Sequence, residues 1–573
     1  MMEAGTELTY KNWNIHRFPR NAAVTLTRAG YRPLPAVVLA SRGVSTAGEA
    51  ERLLDRSLDL LEDPFLLKDM DRAVARIAKA AADGEKVMVF GDYDVDGMTS
   101  TCVMLEYLES LGLDVGFYIP GRSEDGYGLN MSAIRQFHEA GVRLIVTVDC
   151  GVTAAEEVRY ASSLGMDVIV TDHHECKPEL PEAVAVIDPK RPDCPYPNKH
   201  LAGVGVAFKT VCALAGPDGR EDVVRRFLEL VALGTVADVV PLPGENSVLV
   251  SHGLELLSRT SRPGLGVLLR DTCLDVKRVT TASVGFSLAP RLNAAGRMGR
   301  AELSVRLLHT ADPEEAEAIA AELDALNRER RELVSAIYEE ASAMAVGQDG
   351  PLVLARRGWF QGVMGIVAAR ISEQEQVPSV MICVDDDGMG RGSCRSFGSF
   401  SLYSALQSCS DLLEDFGGHE MAAGITIAES NIPAFARRFR EYYFHEIQGI
   451  PEPALEIDYE VVKPGLLTLD DLEALTALEP FGNGNPPPVL CLRGAVLTHL
   501  SSVGNGAHSR FRISKNGESF DGIFFCQAPE DLPVKQGDRI DLAFEPQINV
   551  FRGRRSVQLM AVDVKPHSPE ELL

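Results

Sequence analysis

The sequence predicts an α/β protein of several domains: a parallel sheet covered by helices, a long connecting helix, a second α/β unit, and a small β-barrel at the C-terminal end. Three observations carry this. At 573 residues the chain is too long for one core, and a usual domain size of roughly 100 to 200 residues divides it into three or four. From Lys86 to Pro189 short apolar runs alternate with helix-length segments. Near the end, the pattern changes to short strands joined by Gly and Asn turns.

In chain order, the first region reads "VMVF" then "TSTCVMLEYLESLG", "VGFYI" then "LNMSAIRQFHEAG", "LIVTV" then "TAAEEVRYASSLG", followed by "DVIVT" and "AVAVI". Continuous apolar strands alternating with amphipathic helices form a parallel sheet buried on both faces. Helical segments, among them "GVGVAFKTVCALAG" and "RRFLELVALG", extend to about residue 300. Over 312–347, Ile319, Leu323, Leu326, Leu333, Ile337, Ala341 and Met344 keep helical spacing, which predicts one long helix bridging two domains with its charges facing solvent. A second α/β unit runs from "PLVLARR" through "GVMGIVAARISE" and "SVMICV" to "FGGHEMAAGITI". After the Pro-rich turn "FGNGNPPP", five strand-like runs between "VLCLRGAVLTHL" and "SVQLMAVDV" suggest the barrel.

Formal charge is 56 − 82 = −26, which opposes broad attraction to nucleic acid or acidic membrane. A polyanionic substrate must therefore be held locally, by a metal cluster or a few placed arginines. The 11 cysteines form no CxxC pair, as expected of reduced, buried thiols. With no apolar leader and no run of 18 apolar residues, the expected location is the cytoplasm, without membrane association.

In an open parallel sheet, ligands bind beyond the carboxyl ends of the strands. Acidic and imidazole groups stand at those ends: Asp92, Asp94 and Asp96 after "KVMVF", Asp149 after "LIVTV", Asp172, His173 and His174 after "DVIVT", and Asp188 after "AVAVI". Farther on, "LVALGTVADVVPL" sets Asp238 in an apolar stretch. A lone Asp after a strand is ordinarily a cap or turn former, the preferred reading for Asp188. So many carboxylates repel unless cations join them. Hard oxygens with imidazole and no thiolate favour manganese or magnesium, and five or six such ligands can hold two ions about 3.5 to 4 Å apart.

These residues closely resemble the DHH phosphoesterase superfamily, whose name spells Asp172 to His174. Ordered motifs extend the likeness along the chain: "GDYDVDGMTS", "VTVDCG", "VTDHHE", "LGTVADVVPL", "PRLNAAGRMG", "GRGSCRS", "FGGHEMAAG" and "LEPFGNGNPPP". Together they resemble the RecJ family of single-strand exonucleases. The resemblance implies a DHH catalytic domain at 71–311 with a 1–70 extension packed on it, the connecting helix at 312–347, a DHHA1-type substrate-binding domain at 348–450, and an OB-fold single-strand-binding domain at 451–573. It further implies metal-dependent 5′-to-3′ hydrolysis of single-stranded DNA to mononucleotides in repair and recombination, by a monomer working with a single-strand-binding protein and a RecQ-type helicase. The alternatives are a DHH phosphodiesterase of short oligonucleotides or cyclic dinucleotides, and a non-catalytic binding module. Occupied ligand positions oppose the module, and the barrel and long helix oppose the short-substrate enzyme.

By the same resemblance, Asp94, Asp96, Asp149, His173 and Asp238 bind two divalent cations, manganese or magnesium. His174 faces the scissile phosphate, Asp92 lies in the outer sphere, and Asp172 supports the metal-bound imidazole. Arg122, Arg291, Asn293, Arg297, Ser393, Arg395, Ser396 and His419 are the expected substrate contacts, since guanidinium groups grip phosphate bidentately. Arg122, Ser393 and Arg395 belong near the 5′-terminal phosphate. Arg510, Phe511, Arg512, Phe551, Arg552, Arg554 and Arg555 are barrel candidates for a single strand, with a solvated hairpin tip as the competing reading of "VFRGRRSV". One departure shows: Phe360 stands where the family commonly has His.

Overall fold

The structure, a computed structural model, describes residues 10, 12–121, 128–272, 278–447 and 454–568. They fall into two compact units, one of 56–333 with 480–486, the other of 1–55, 334–479 and 487–573. Strand β1 (Asn12–Ile15) pairs in parallel with a strand at Ala454–Ile457. Trp13 donates its indole N–H to Asp563 at 2.7 Å, and Arg42 grips Asp458 through Nε at 2.8 Å and Nη2 at 3.1 Å. The N-terminal extension expected on the catalytic core is thus divided: up to residue 55 it folds with the barrel's unit, and only the remainder joins the unit that follows. Backbone pairing and a nearly buried ion pair decide this, and their partners lie more than 400 residues away in sequence.

The first sheet is β2 (Lys86–Phe90), β3 (Asp114–Tyr118), β4 (Leu144–Val148), β5 (Asp167–Thr171) and β6 (Ala185–Ile187), all parallel, in the order β3-β2-β4-β5-β6. Alternate side chains enter two cores. Val87, Val89, Leu144, Val146 and Ile169 face one, while Phe90, Ile145, Val168 and Val170 face the other. Both faces are apolar, which is why these strands read as unbroken hydrophobic runs rather than alternating ones. Successive strands are added outward in opposite directions from β2 and β4, so the loops after those two strands flank the switch point where such sheets bind ligands.

Helix Val95–Ser110 starts immediately beyond β2 and packs against Gly203–Ala237. The latter is two helices joined at Gly216, whose φ of 66° leaves the helical region, with Pro217 next.

In the other unit, β7 (Leu352–Arg357), β8 (Ser379–Val384), β9 (Met389–Arg395), β10 (Asp415–Gly418) and β11 (Ala422–Ala428) form a mixed sheet in the order β10-β11-β9-β8-β7. Val380, Ile382, Ile425, Phe435 and Phe439 fill its core. The long helix spans Pro313–Ala345. Beyond β12 (Ala454–Ile457) and β13 (Tyr459–Glu460), strands β14 (Leu490–Val503), β15 (His508–Lys515), β16 (Glu518–Phe524), β17 (Arg539–Phe551) and β18 (Arg554–Pro566) close a five-stranded barrel, because β14 pairs with both β15 and β17. Among the described residues no helix is long and apolar enough to cross a membrane.

Candidate metal centre

The loop after β2 is wound tightly. Asp94 caps helix Val95–Ser110 by accepting from Gly97 N–H at 3.0 Å. A Cβ on Gly97 would lie 2.5 Å from the Asp92 carbonyl oxygen, so only glycine lets the turn close. Asp96, one residue into the helix, is buried, and its two oxygens accept from Gly203 N–H at 2.6 Å and Val204 N–H at 2.8 Å. Those amides open the next long helix, so an anion sits at that helix's positive end. The sequence gives no sign of this clamp, because backbone amides carry no residue signature.

Asp149 follows β4 with φ at 60°, a conformation tolerated here because its amide bonds to the Thr171 carbonyl. It is buried, and its Oδ1 lies 3.1 Å from His173 Nε2. The same nitrogen is 3.7 Å from Asp238 Oδ2 and 3.8 Å from Asp96 Oδ2. Burial and the neighbouring His174 push His173 down to about 3, so its ring is neutral. One imidazole nitrogen therefore lies within 3.8 Å of oxygens from three carboxylates. Ligand-capable atoms of Asp96, His173 and Asp238, of Asp149, His173 and His174, and of Asp92, Asp94 and Asp149 each lie within 4.8 Å of one another.

The electrostatics are those of a site short of positive charge. Burial, then repulsion from Asp94, raises Asp96 to about 7. Burial and the carboxylates of Asp96 and Asp94 raise Asp238 to about 9. Asp149 is pushed well above the carboxylate range by burial and four neighbouring acids. Divalent cations would remove that repulsion, and the oxygen and imidazole donors suit manganese or magnesium.

Asp172 does not support His173 as expected. Its Oδ1 lies 2.7 Å from His174 Nδ1 and accepts from the amides of His173 and His174, while Oδ2 accepts from Val152 N–H at 2.8 Å. Burial disfavours a charge on His174, but the Asp172 bond and the nearby acids outweigh it and raise the imidazole to about 9. The buried Asp188 forms a turn with Lys190 N–H at 2.7 Å and stands in none of the three groupings.

The expected substrate contacts are distributed less simply. Arg122 lies outside the described residues. Arg291 is tied to Asp324 Oδ1 and the Ser287 carbonyl, both at 2.8 Å. Asn293 Oδ1 accepts from Val95 N–H at 3.1 Å, so it helps hold the start of the helix that carries Asp96. Arg297 ends the same short helix, Ala289–Arg297. In the other unit, Ser393 and Arg395 stand two apart on β9, beside the first turn of helix Met364–Glu375: a Cβ on Gly365 would lie 3.0 Å from Arg395 Nη2 and 3.8 Å from Ser393 Oγ. Ser396 donates its hydroxyl to the Phe400 carbonyl. His419 lies exposed between β10 and β11.

Comparison with known proteins matches this architecture piece by piece. Residues 86–235 match the DHH family N-terminal domain, 349–443 the DHHA1 domain, and 457–563 the RecJ OB domain. The chain is 40% identical to the single-stranded-DNA-specific exonuclease RecJ of Bacillus subtilis over 96% of its own length and 70% of that protein's. It belongs to the RecJ family. To the Escherichia coli RecJ it is 36% identical, covering 93% of this chain and 96% of that one. The crystal structure of Thermus thermophilus RecJ in complex with Mn2+ superposes with a TM-score of 0.83 at 32% identity, over 97% of this chain and 80% of that one.

Proposed function

We propose that the chain is a metal-dependent exonuclease that degrades single-stranded DNA from the 5′ end to mononucleotides, in repair and recombination. The observation that carries this is the convergence of Asp96, Asp149, Asp238 and His173 at the switch point of a parallel sheet, with more carboxylate than the site can ionise alone. Asp94, Asp96, Asp149, His173 and Asp238 would hold two manganese or magnesium ions, with Asp92 close by. When bound, the ions would supply Lewis acidity to water and to the phosphodiester.

The protein's own groups do the rest. Gly203 and Val204 amides fix Asp96. Asp172 orients His174 and keeps it cationic, so that Nε2 can donate to a phosphate oxygen as charge develops. Arg395 and Ser393, beside a helix N-terminus, suit a terminal 5′-phosphate, with His419 as a further candidate contact in the same unit; Arg297 is a separate candidate contact in the metal-centre unit. On the barrel, the tip of the β17–β18 hairpin leaves Phe551 65% exposed beside Arg552, a surface on which a base can stack.

The expected setting is the cytoplasm, as a monomer supplied with substrate by a single-strand-binding protein and a RecQ-type helicase. Long single-stranded DNA labelled separately at each end, digested with Mn2+, with Mg2+ and with chelator, tests the proposal. Metal-dependent release of mononucleotides from the 5′ end supports it. Intact long DNA alongside a cleaved dinucleotide would transfer the assignment to a short-substrate phosphodiesterase.

A further inference from the structure

The loop that follows Asp238 is held by a distant piece of sequence. Asp238 is the C-cap of helix Gly203–Ala237, the end where unpaired carbonyls make an anion unwelcome. The next residue, Val239, has φ at 60°, strongly disfavoured for a β-branched side chain. Such a conformation persists only where the surroundings impose it. Packing does not, since Val239 is 64% exposed.

Hydrogen bonds from the turn at 480–486 do. Asn483 Nδ2 donates to the Val239 carbonyl at 2.9 Å, and the Asn483 carbonyl accepts from Leu242 N–H at 2.8 Å. Bonds between Gly482 and Asn485 close the turn on itself. Its glycines press on the loop: a Cβ on Gly482 would lie 2.7 Å from the Leu242 side chain, and one on Gly484 would lie 2.9 Å from Pro243. From elsewhere the buried Asn246 donates to the Pro241 carbonyl at 2.8 Å and to the His200 carbonyl at 2.6 Å. The loop is thus pinned at 239, 241 and 242. Although residues 480–486 lie between barrel-unit segments in sequence, they fold with the metal-centre unit.

We propose that Asn483 is a positioning residue for Asp238: by fixing the Val239 backbone in its left-handed conformation, it keeps the Asp238 carboxylate aimed at the centre it shares with Asp96 and His173. This rests on Asp238 being a metal ligand, as proposed above. Three variants of the full chain test it: Asn483→Ala, Asn483→Leu, which keeps the branched shape and removes the amide donor, and Asp238→Ala as reference. Each is measured for Mn2+ affinity by calorimetry, for melting without metal, and for kcat and KM on single-stranded DNA. Groups that hydrogen-bond a metal ligand directly typically change metal affinity by about 10- to 100-fold; Asn483 acts one residue further out, through the Val239 backbone, so both Asn483 variants should bind Mn2+ more weakly by up to about 10-fold. Their kcat should fall while KM for DNA and metal-free melting stay unchanged. Unaltered Mn2+ affinity in Asn483→Leu overturns the proposal, as does a loss that only parallels a fall in metal-free melting. If Asp238→Ala itself leaves Mn2+ binding intact, the ligand assignment fails too; loss in Asp238→Ala without loss in Asn483→Leu overturns the positioning role alone.

Discussion

Replacing Gly203 with alanine should damage the metal centre more than the fold. The added Cβ would lie 2.5 Å from Asp149 Oδ1, 2.6 Å from its Cβ and 2.7 Å from its Cγ. Rotating the carboxylate cannot relieve contact with Asp149 Cβ, so the backbone of one residue must move. Asp149 has little freedom, being at φ 60° with its amide bonded to Thr171. Gly203 has little either, because its amide is bonded to Asp96 Oδ2 at 2.6 Å. Relieving a 2.5 Å contact to ordinary van der Waals separation takes about 1 Å, and a shift of that size at a reacting centre costs about 100-fold in rate. Overpacking costs the fold about 1 to 3 kcal/mol. Mn2+ calorimetry, metal-free melting and kcat on single-stranded DNA form the assay. Weaker Mn2+ binding and a large fall in kcat, with a smaller melting shift, are expected. Wild-type affinity and turnover would refute the claim that the Gly203 amide turn and Asp149 form one packed site.

Asp149→Ala should abolish hydrolysis while the protein stays folded, checked by circular dichroism beside the nuclease assay. Arg395→Ala should weaken binding of 5′-phosphorylated DNA by about 1 to 3 kcal/mol, the worth of a charged hydrogen bond, and blur the preference over a 5′-hydroxyl end; competition binding with both ends checks it. Phe551→Ala should cost about 1 to 3 kcal/mol in affinity for long single strands and leave dinucleotide hydrolysis unchanged. Glu106 is partly desolvated, which opposes its charge, but bonds to His309 and Arg262 lower it to about 2 from an ordinary 4.5. A carboxylate depressed in the folded state stabilises above its unfolded pKa, and that contribution fades as pH falls from about 4.5 towards about 2. In denaturant titrations, Glu106→Gln should therefore lose stability at neutral pH and show a flatter dependence across that acid window.

Much of this molecule is legible in the sequence because its signals are local. The apolar runs of β2, β4 and β5 end directly on the residues that form the centre, so strand pattern and site are read together. The length of Pro313–Ala345 follows from its spacing alone. What escapes is set by contacts between remote residues. Asn12–Ile15 gives no hint that its partner is Ala454–Ile457. Asp172 looks like a support for His173, but ring direction hands its Oδ1 to His174. Asn293 sits in a motif that suggests phosphate contact, and nothing in that motif shows that its Oδ1 also accepts from Val95 N–H. The backbone amides that clamp Asp96 have no side-chain identity to recognise.

The central claim is that these acids and His173 form a two-ion centre. Calorimetric titration of metal-free, full-length protein with Mn2+ tests it most directly: two ions should bind per chain, and Asp149→Ala should retain no more than one. Full, unaltered two-ion binding by Asp149→Ala, or no stoichiometric binding by the wild-type chain, would contradict it.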